Sequence, residues 1–249
     1  MDALLIPIPV LAAGFFFIAL IYSSVGLGGG SSYTALLTLF GASHRVVPGV
    51  SLTLNVLVAS TSALAYLRAG HVRPRVILPF VITSIPAAYL GGRIPLAERP
   101  FLILLAGSLV LIAALLLTWK PPETRRALPR PARIATSLVI GAVLGLLSGL
   151  VGIGGGIFLI PLILLLGLAD AKEAAATGAV FIVLNSLAGL AAHLERLPAL
   201  STIAPLLIAV FAGAVLGGHL GARRYSRRAV QRVLAVVLLV AAGLLSLRI

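Results

Sequence analysis

Ser24-Val25-Gly26-Leu27-Gly28-Gly29-Gly30 and, 126 residues further on, Leu150-Val151-Gly152-Ile153-Gly154-Gly155-Gly156 interrupt two otherwise apolar runs. In lipid, such glycine runs free backbone N–H and C=O groups that hydrocarbon cannot satisfy. They persist where they pack inside protein or line a hydrated cavity. A break repeated at a fixed interval points to a duplicated transporter whose discontinuous helices meet at the binding site.

Composition agrees with a lipid setting. Of 249 residues, 60% are hydrophobic and only 10% charged, too little polar surface to coat a soluble globule. The net charge of +13 does not read as a nucleic-acid footprint. The arginines occupy short gaps between apolar runs rather than one amphipathic face. With no cysteine, disulfides, thiolate metal sites and thiol redox chemistry are excluded. The opening Met1-Asp2-Ala3 lacks the basic start of a secretory leader, and no cleaved signal is expected.

Apolar segments fall at about 8–25, 31–41, 46–67, 76–92, 101–119, 134–151, 157–168, 174–194, 201–220 and 229–247. Most approach the ~20 residues of a full crossing. Those after the two breaks do not, and are expected to be half-helices that start at depth. Gly41 and Gly167, Pro79 and Pro205, and Gly91-Gly92 and Gly217-Gly218 share the spacing of the breaks. The expected fold is therefore an all-α integral membrane protein of about ten hydrophobic segments, arranged as two inverted five-segment repeats with Gly-broken helices. The first repeat is 1–119, a basic Pro-rich linker 120–133, and the second repeat 134–249.

Loop charges set the expected orientation. Alternate gaps place Arg68, Arg73, Arg75, Lys120, Arg125, Arg126, Arg130, Arg133, Lys172, Arg223, Arg224, Arg227 and Arg228 on one side. Arg45, Arg93, Arg99, Arg196 and Arg248 fall on the other. Fusing each broken pair into one crossing nearly erases this imbalance, so the positive-inside rule favours ten segments with both termini outside. An odd segment count per half inverts the second copy relative to the first.

Short helices starting after Gly30 and Gly156 would present unpaired N–H donors and a partial positive charge, which suits an anion. The candidate substrate-binding residues are Gly28, Gly29, Gly30, Ser31, Ser32, Tyr33 and Asn55 in the first half, with Gly154, Gly155, Gly156 and Asn185 in the second. For any one glycine or serine, helix packing is the simpler reading; the duplicated break followed by a short segment argues for a site. The six acidic residues, Asp2, Glu98, Glu123, Asp170, Glu173 and Glu195, all lie in loops or at segment ends, which disfavours a cation substrate. His44, His71, His193 and His219 also sit near segment ends and form no metal cluster, so no metal or cofactor is expected. Arg93 and His219, after the paired Gly-Gly dipeptides, could greet an anion at the mouth. Ser23, Ser24 and Ser148 lack a general base at their depth, and neither nucleotide-loop motif is complete. No enzyme activity is expected.

Gly26-Leu27-Gly28-Gly29-Gly30, its echo Gly152-Ile153-Gly154-Gly155-Gly156 with Pro161 following, the two halves and the length together resemble the TauE/SafE-type sulfite exporter family. The resemblance implies a multi-pass transporter of the bacterial cytoplasmic (inner) membrane, with lipid as its surroundings and no nucleic-acid partner. Its substrate would be a small anion such as sulfite, an organosulfonate or thiosulfate, usually moved outward. It also implies that the two glycine runs and the Ser or Asn residues beside them form the site. The halves are unequal: Ala35 stands where the second has Pro161, and Ser31-Ser32-Tyr33 where it has Ile157-Phe158-Leu159. Polar contacts are therefore expected mainly from the first copy. The alternatives left open are a membrane assembly or scaffold protein and an anion channel; oligomeric state is not legible.

Overall fold

Glycine and proline punctuation sets the helix boundaries. In the computed structural model, residues 7–24, 27–118, 129–221 and 227–249 are described, and all their regular structure is helical. The helices are α1 (Ile8–Ser24), α2 (Gly30–Leu39), α3 (Val47–Arg68), α4 (Pro74–Arg93), α5 (Glu98–Thr118), α6 (Arg130–Val151), α7 (Gly156–Leu165), α8 (Ala171–His193), α9 (Leu200–Gly221) and α10 (Arg227–Ser246). Proline in the first turn starts α3, α4 and α6, where its missing N–H has no helical partner to lose. Asp170 starts α8 with a capping box, accepting from the Lys172 and Glu173 N–H groups at 2.9 and 2.8 Å. Gly152, at φ +83°, ends α6 in a left-handed conformation open to glycine.

Among the described residues six helices are long and apolar enough to cross a membrane: α3, α4, α5, α6, α8 extended through the 3-10 turn to Arg196, and α9. The two segments expected to be half-helices, α2 and α7, are ten residues each, about 15 Å at ~1.5 Å per residue. Arg130–Arg133, at the end of the 120–133 stretch, form the first turn of α6 rather than loop; residues 120–128 lie outside the described residues.

Two close helix pairs frame the bundle. On α6, a Cβ at Gly141, Gly145 or Gly149 would collide with the carbonyl oxygens of Phe80, Ser84 and Ala88 on α4, in that order. On α9, Gly213 and Gly217 face the carbonyls of Phe16 and Leu20 on α1 in the same manner. Residue numbers rise together across both contacts, so α4 runs parallel to α6 and α1 parallel to α9. These small-residue stripes let backbones approach where lipid offers no hydrophobic drive for helix association. α3 and α8 cross antiparallel at the centre, with Gly49 beside His193, Leu52 on Gly189 and Asn55 on Ser186.

The half-helices fold back into this frame. Gly30 bonds Asn55 and Thr34 bonds Ser51, so α2 runs antiparallel to α3 and starts near its middle. Gly156 packs on Ile182 and Ile160 on Gly178, so α7 meets α8 in the same sense. At its far end α2 is met by Arg248, which donates to the Thr38 and Leu39 carbonyls at 3.1 and 3.0 Å, making α10 parallel to α2. The basic residues separate by end. Where α4 and α6 begin, Arg75, Arg130 and Arg133 share a cleft of about 760 Å³, and Arg73 pairs with Glu173 at 2.8 Å. Where the same helices finish, Arg45 and Arg196 line a second cavity.

Candidate substrate site at the crossing of the two glycine breaks

Side chains four residues apart on one helix share a face, and Ser51 and Asn55 on α3 use that spacing to meet Gly30 and Thr34 on α2. The Asn55 Oδ1 accepts from the Gly30 N–H at 3.0 Å, and its Nδ2 donates to Ser186 Oγ on α8 at 3.0 Å. Thr34 Oγ1 donates to Ser51 Oγ at 2.8 Å. The single Ser51 hydroxyl proton is shared between two carbonyl oxygens, Gly30 and Gly152, each 2.9 Å away. One small network therefore ties the first half-helix to the second break.

Backbone contact is equally close. A Cβ at Gly30 would lie 2.6 Å from the Ile153 carbonyl oxygen. Side chains at Gly28 or Gly154 would collide with the Asn55 carboxamide, and Ile182 lies against Gly28, Gly154 and Gly156 together. The two breaks nevertheless differ in backbone. Gly154 and Gly155 have φ of +81° and +72°, a region only glycine occupies readily, whereas Gly29 has φ −95°. The same sequence pattern thus makes two differently shaped turns.

Asn55, Ser51, Thr34 and Ser186 are each fully buried. Among the described residues the buried polar side chains are serines, threonines, asparagines and one histidine, with no carboxylate. The centre is polar, neutral and built from donors aimed at backbone.

The eleven residues expected at the site divide. Gly28, Gly30, Asn55, Gly154 and Gly156 converge around Asn55 and Ile182. The Tyr33 ring covers Gly29 and lies 4.9 Å from that of Phe15, its hydroxyl without a partner among the described residues. Ser31 and Ser32 turn toward α1 and bond the Tyr22 hydroxyl at 3.1 and 2.9 Å. Gly155 packs against Phe181 and Leu144. Asn185 donates back to the Phe181 carbonyl of its own helix at 2.9 Å, and its neighbour Ser186 is the residue that reaches Asn55. Of the two mouth residues, Arg93 lies 5.9 Å from the Tyr89 ring centroid and His219 bonds the Val215 carbonyl. Ser51, Thr34 and Ser186 were not singled out by sequence, although the spacings Gly30/Thr34 and Ser51/Asn55 carried the signal.

Two ten-residue helices thus start at glycine breaks that meet where Gly30 packs on the Ile153 carbonyl. The family model described as "Sulfite exporter TauE/SafE" matches residues 10–245. The chain belongs to the TauE/SafE sulfite exporter family. It is a membrane transporter of that family, and its surroundings are lipid. A relative from Sinorhizobium fredii, the "Probable membrane transporter protein y4hK", is 36% identical over 235 residues, covering 92% of this chain and 94% of the relative. The Bacillus subtilis "Probable membrane transporter protein YunE" is 28% identical, covering 87% of this chain and 89% of its own length. A Methanocaldococcus jannaschii relative, "Probable membrane transporter protein MJ0441", is 28% identical over 76% of this chain and 73% of its own. No solved structure matches the chain.

Proposed function

We propose that this TauE/SafE transporter is an alternating-access carrier of the bacterial cytoplasmic membrane that exports small anions of the sulfite or organosulfonate class. The observation that carries the reading is the contact between two half-helix N-termini, at Gly30 and Gly154–Gly156, around one neutral carboxamide. Each N-terminus supplies N–H donors and roughly half a positive charge, and among the described residues no buried carboxylate opposes an anion there. The Asn55 Oδ1 occupies the Gly30 N–H, where a substrate oxygen would be received. In this reading the centre is closed on itself, and substrate enters when the carboxamide turns and offers its NH₂ group as a further donor.

The helix pairing supports two inverted repeats. Exchanging each helix for the one five places along converts the α1–α9 pair into α6–α4, and both are parallel pairs held by glycine stripes. It also maps α2 on α3 onto α7 on α8. The antiparallel return of α2 along α3, and its parallel course beside α10, favour ten segments over broken helices that run straight through, and the loop arginines then favour both termini outside.

Reconstitution in liposomes tests the function. Saturable movement of sulfite or sulfoacetate is expected, lost in Gly29→Leu and Gly155→Leu variants that still insert. If the wild-type protein moves neither of these nor thiosulfate, the substrate assignment is wrong. Unsaturable flux would make the protein a channel, and survival of transport in both variants would reduce the glycines to packing elements.

A further inference from the structure

The cavity where α4 and α6 finish has a volume of about 480 Å³ and a lining of one sign. Arg45 and Arg196 are its charged walls, and His44 and His193 its remaining titratable groups. Among the described residues no carboxylate lines it; Glu98 and Glu195, each next to a lining residue in the chain, are exposed. Its lower wall includes Pro48 and Leu150. The Pro48 Cα packs so tightly on the second break that a Cβ at Gly152 would lie 2.7 Å from it. The Gly152 carbonyl holds Ser51 at 2.9 Å, so the cavity ends one layer of residues above the glycine crossing. His193 is only 4% exposed. Its Nε2–H donates to the Gly149 carbonyl at 3.0 Å, while Nδ1 has no hydrogen-bond partner among the described residues. With Nε2 carrying the proton, Nδ1 of the neutral ring is an acceptor, so this buried atom in the wall of a cationic cavity calls for a donor such as water.

We infer that this cavity is a capture site for a small oxoanion on the transport path, distinct from the glycine crossing and reached before or after it; this rests on the anion-transport reading above. Guanidinium groups present donor forks that match the oxygens of sulfite and sulfonate groups. The volume falls in the range of ligand pockets, so a small oxoanion fits together with part of its hydration shell. A cleft of one sign with low-dielectric walls concentrates counter-ions and raises encounter rates. Arg45 and Arg196 hold the anion outside the barrier made by Pro48 and Gly152, and the glycine crossing receives it when that contact opens.

The test compares sulfite transport by wild-type protein, Arg45→Gln, Arg196→Gln, the double variant and the Lys replacements in liposomes, with gel filtration to verify folding. In the double variant KM is expected to rise about tenfold, the lower end of electrostatic concentration effects, with the maximal rate within about twofold and a flatter salt dependence. Each single variant gives part of that rise, so the result does not hang on the double variant, and the Lys variants recover most of it. An unchanged KM in folded Gln variants would overturn the capture site while leaving transport standing. If the wild-type protein moves no sulfite, titration calorimetry with sodium sulfite reads the cavity directly. Heat present in wild type and absent in the double variant sustains an anion site, and no heat in wild type rejects it.

Discussion

Asn55 is central to the site, because its carboxamide touches both breaks and α8 at once. Removing it in Asn55→Ala leaves the Gly30 N–H and Ser186 buried without their partner, at a cost of about 1–3 kcal/mol for an unsatisfied buried group. The expected outcome is a lowered melting temperature in detergent and at least a tenfold loss of sulfite uptake in liposomes. Ser186→Ala breaks only one of the two bonds, and a smaller loss is expected in the same assays. Gly154→Ala fails for two reasons that add: its φ of +81° strains any side chain, and the new methyl collides with Asn55 Nδ2. Uptake by that variant should be absent even where protein reaches the membrane. The residue types and the breaks were legible in sequence. That Ser186 rather than Asn185 faces the crossing was not, since the two are adjacent in α8 and only packing against α3 decides which one turns inward.

At the scale of elements, helix pairing depends on what is missing from side chains. Gly145 of α6 lies against the Ser84 carbonyl of α4. Gly145→Leu must part the two helices, with an expected loss of about 1–3 kcal/mol for overpacking, read as a lower melting temperature and reduced yield of monodisperse protein. The same substitution at Gly107, which meets no neighbouring atom within 4 Å, serves as the matched control and should change neither. Half-helix α2 illustrates a different dependence. Its N-terminus is held by Asn55 and its C-terminus by Arg248, whose guanidinium bonds the last carbonyls. Arg248→Ala should weaken the far end by about 0.3–1 kcal/mol, as for a cation at a helix C-terminus. Faster amide exchange confined to the Leu36–Ala42 region is the expected signature. Helix lengths followed from the glycine positions, since both short helices begin at the third consecutive glycine, but the left-handed turn at Gly154–Gly155 and its absence at Gly29 did not. Identical glycines permit either conformation, and their neighbours differ: Leu144 and Phe181 pack on Gly155, whereas the Tyr33 ring covers Gly29.

For the molecule as a whole, the separation of arginines by end is the property open to test. Cysteines introduced singly at Arg75 and Arg133 should react with an impermeant thiol reagent only from the cytoplasmic side, and those at Arg45 and Arg196 only from outside. Labelling of both groups from one side would sink the ten-segment orientation. The chain has no cysteine of its own, so the background is clean.

By itself the sequence determined that this protein lives in lipid, that it is helical, and that the same glycine break recurs 126 residues further on. These follow from composition and spacing, which depend on local chemistry and on the length of a bilayer crossing. Tertiary structure alone decided that the breaks touch, that α1 pairs with α9 and α4 with α6, and that Asn55, Ser51, Thr34 and Ser186 form one network. Those are contacts between residues up to two hundred positions apart, selected by which backbones can approach most closely, and no local pattern encodes them.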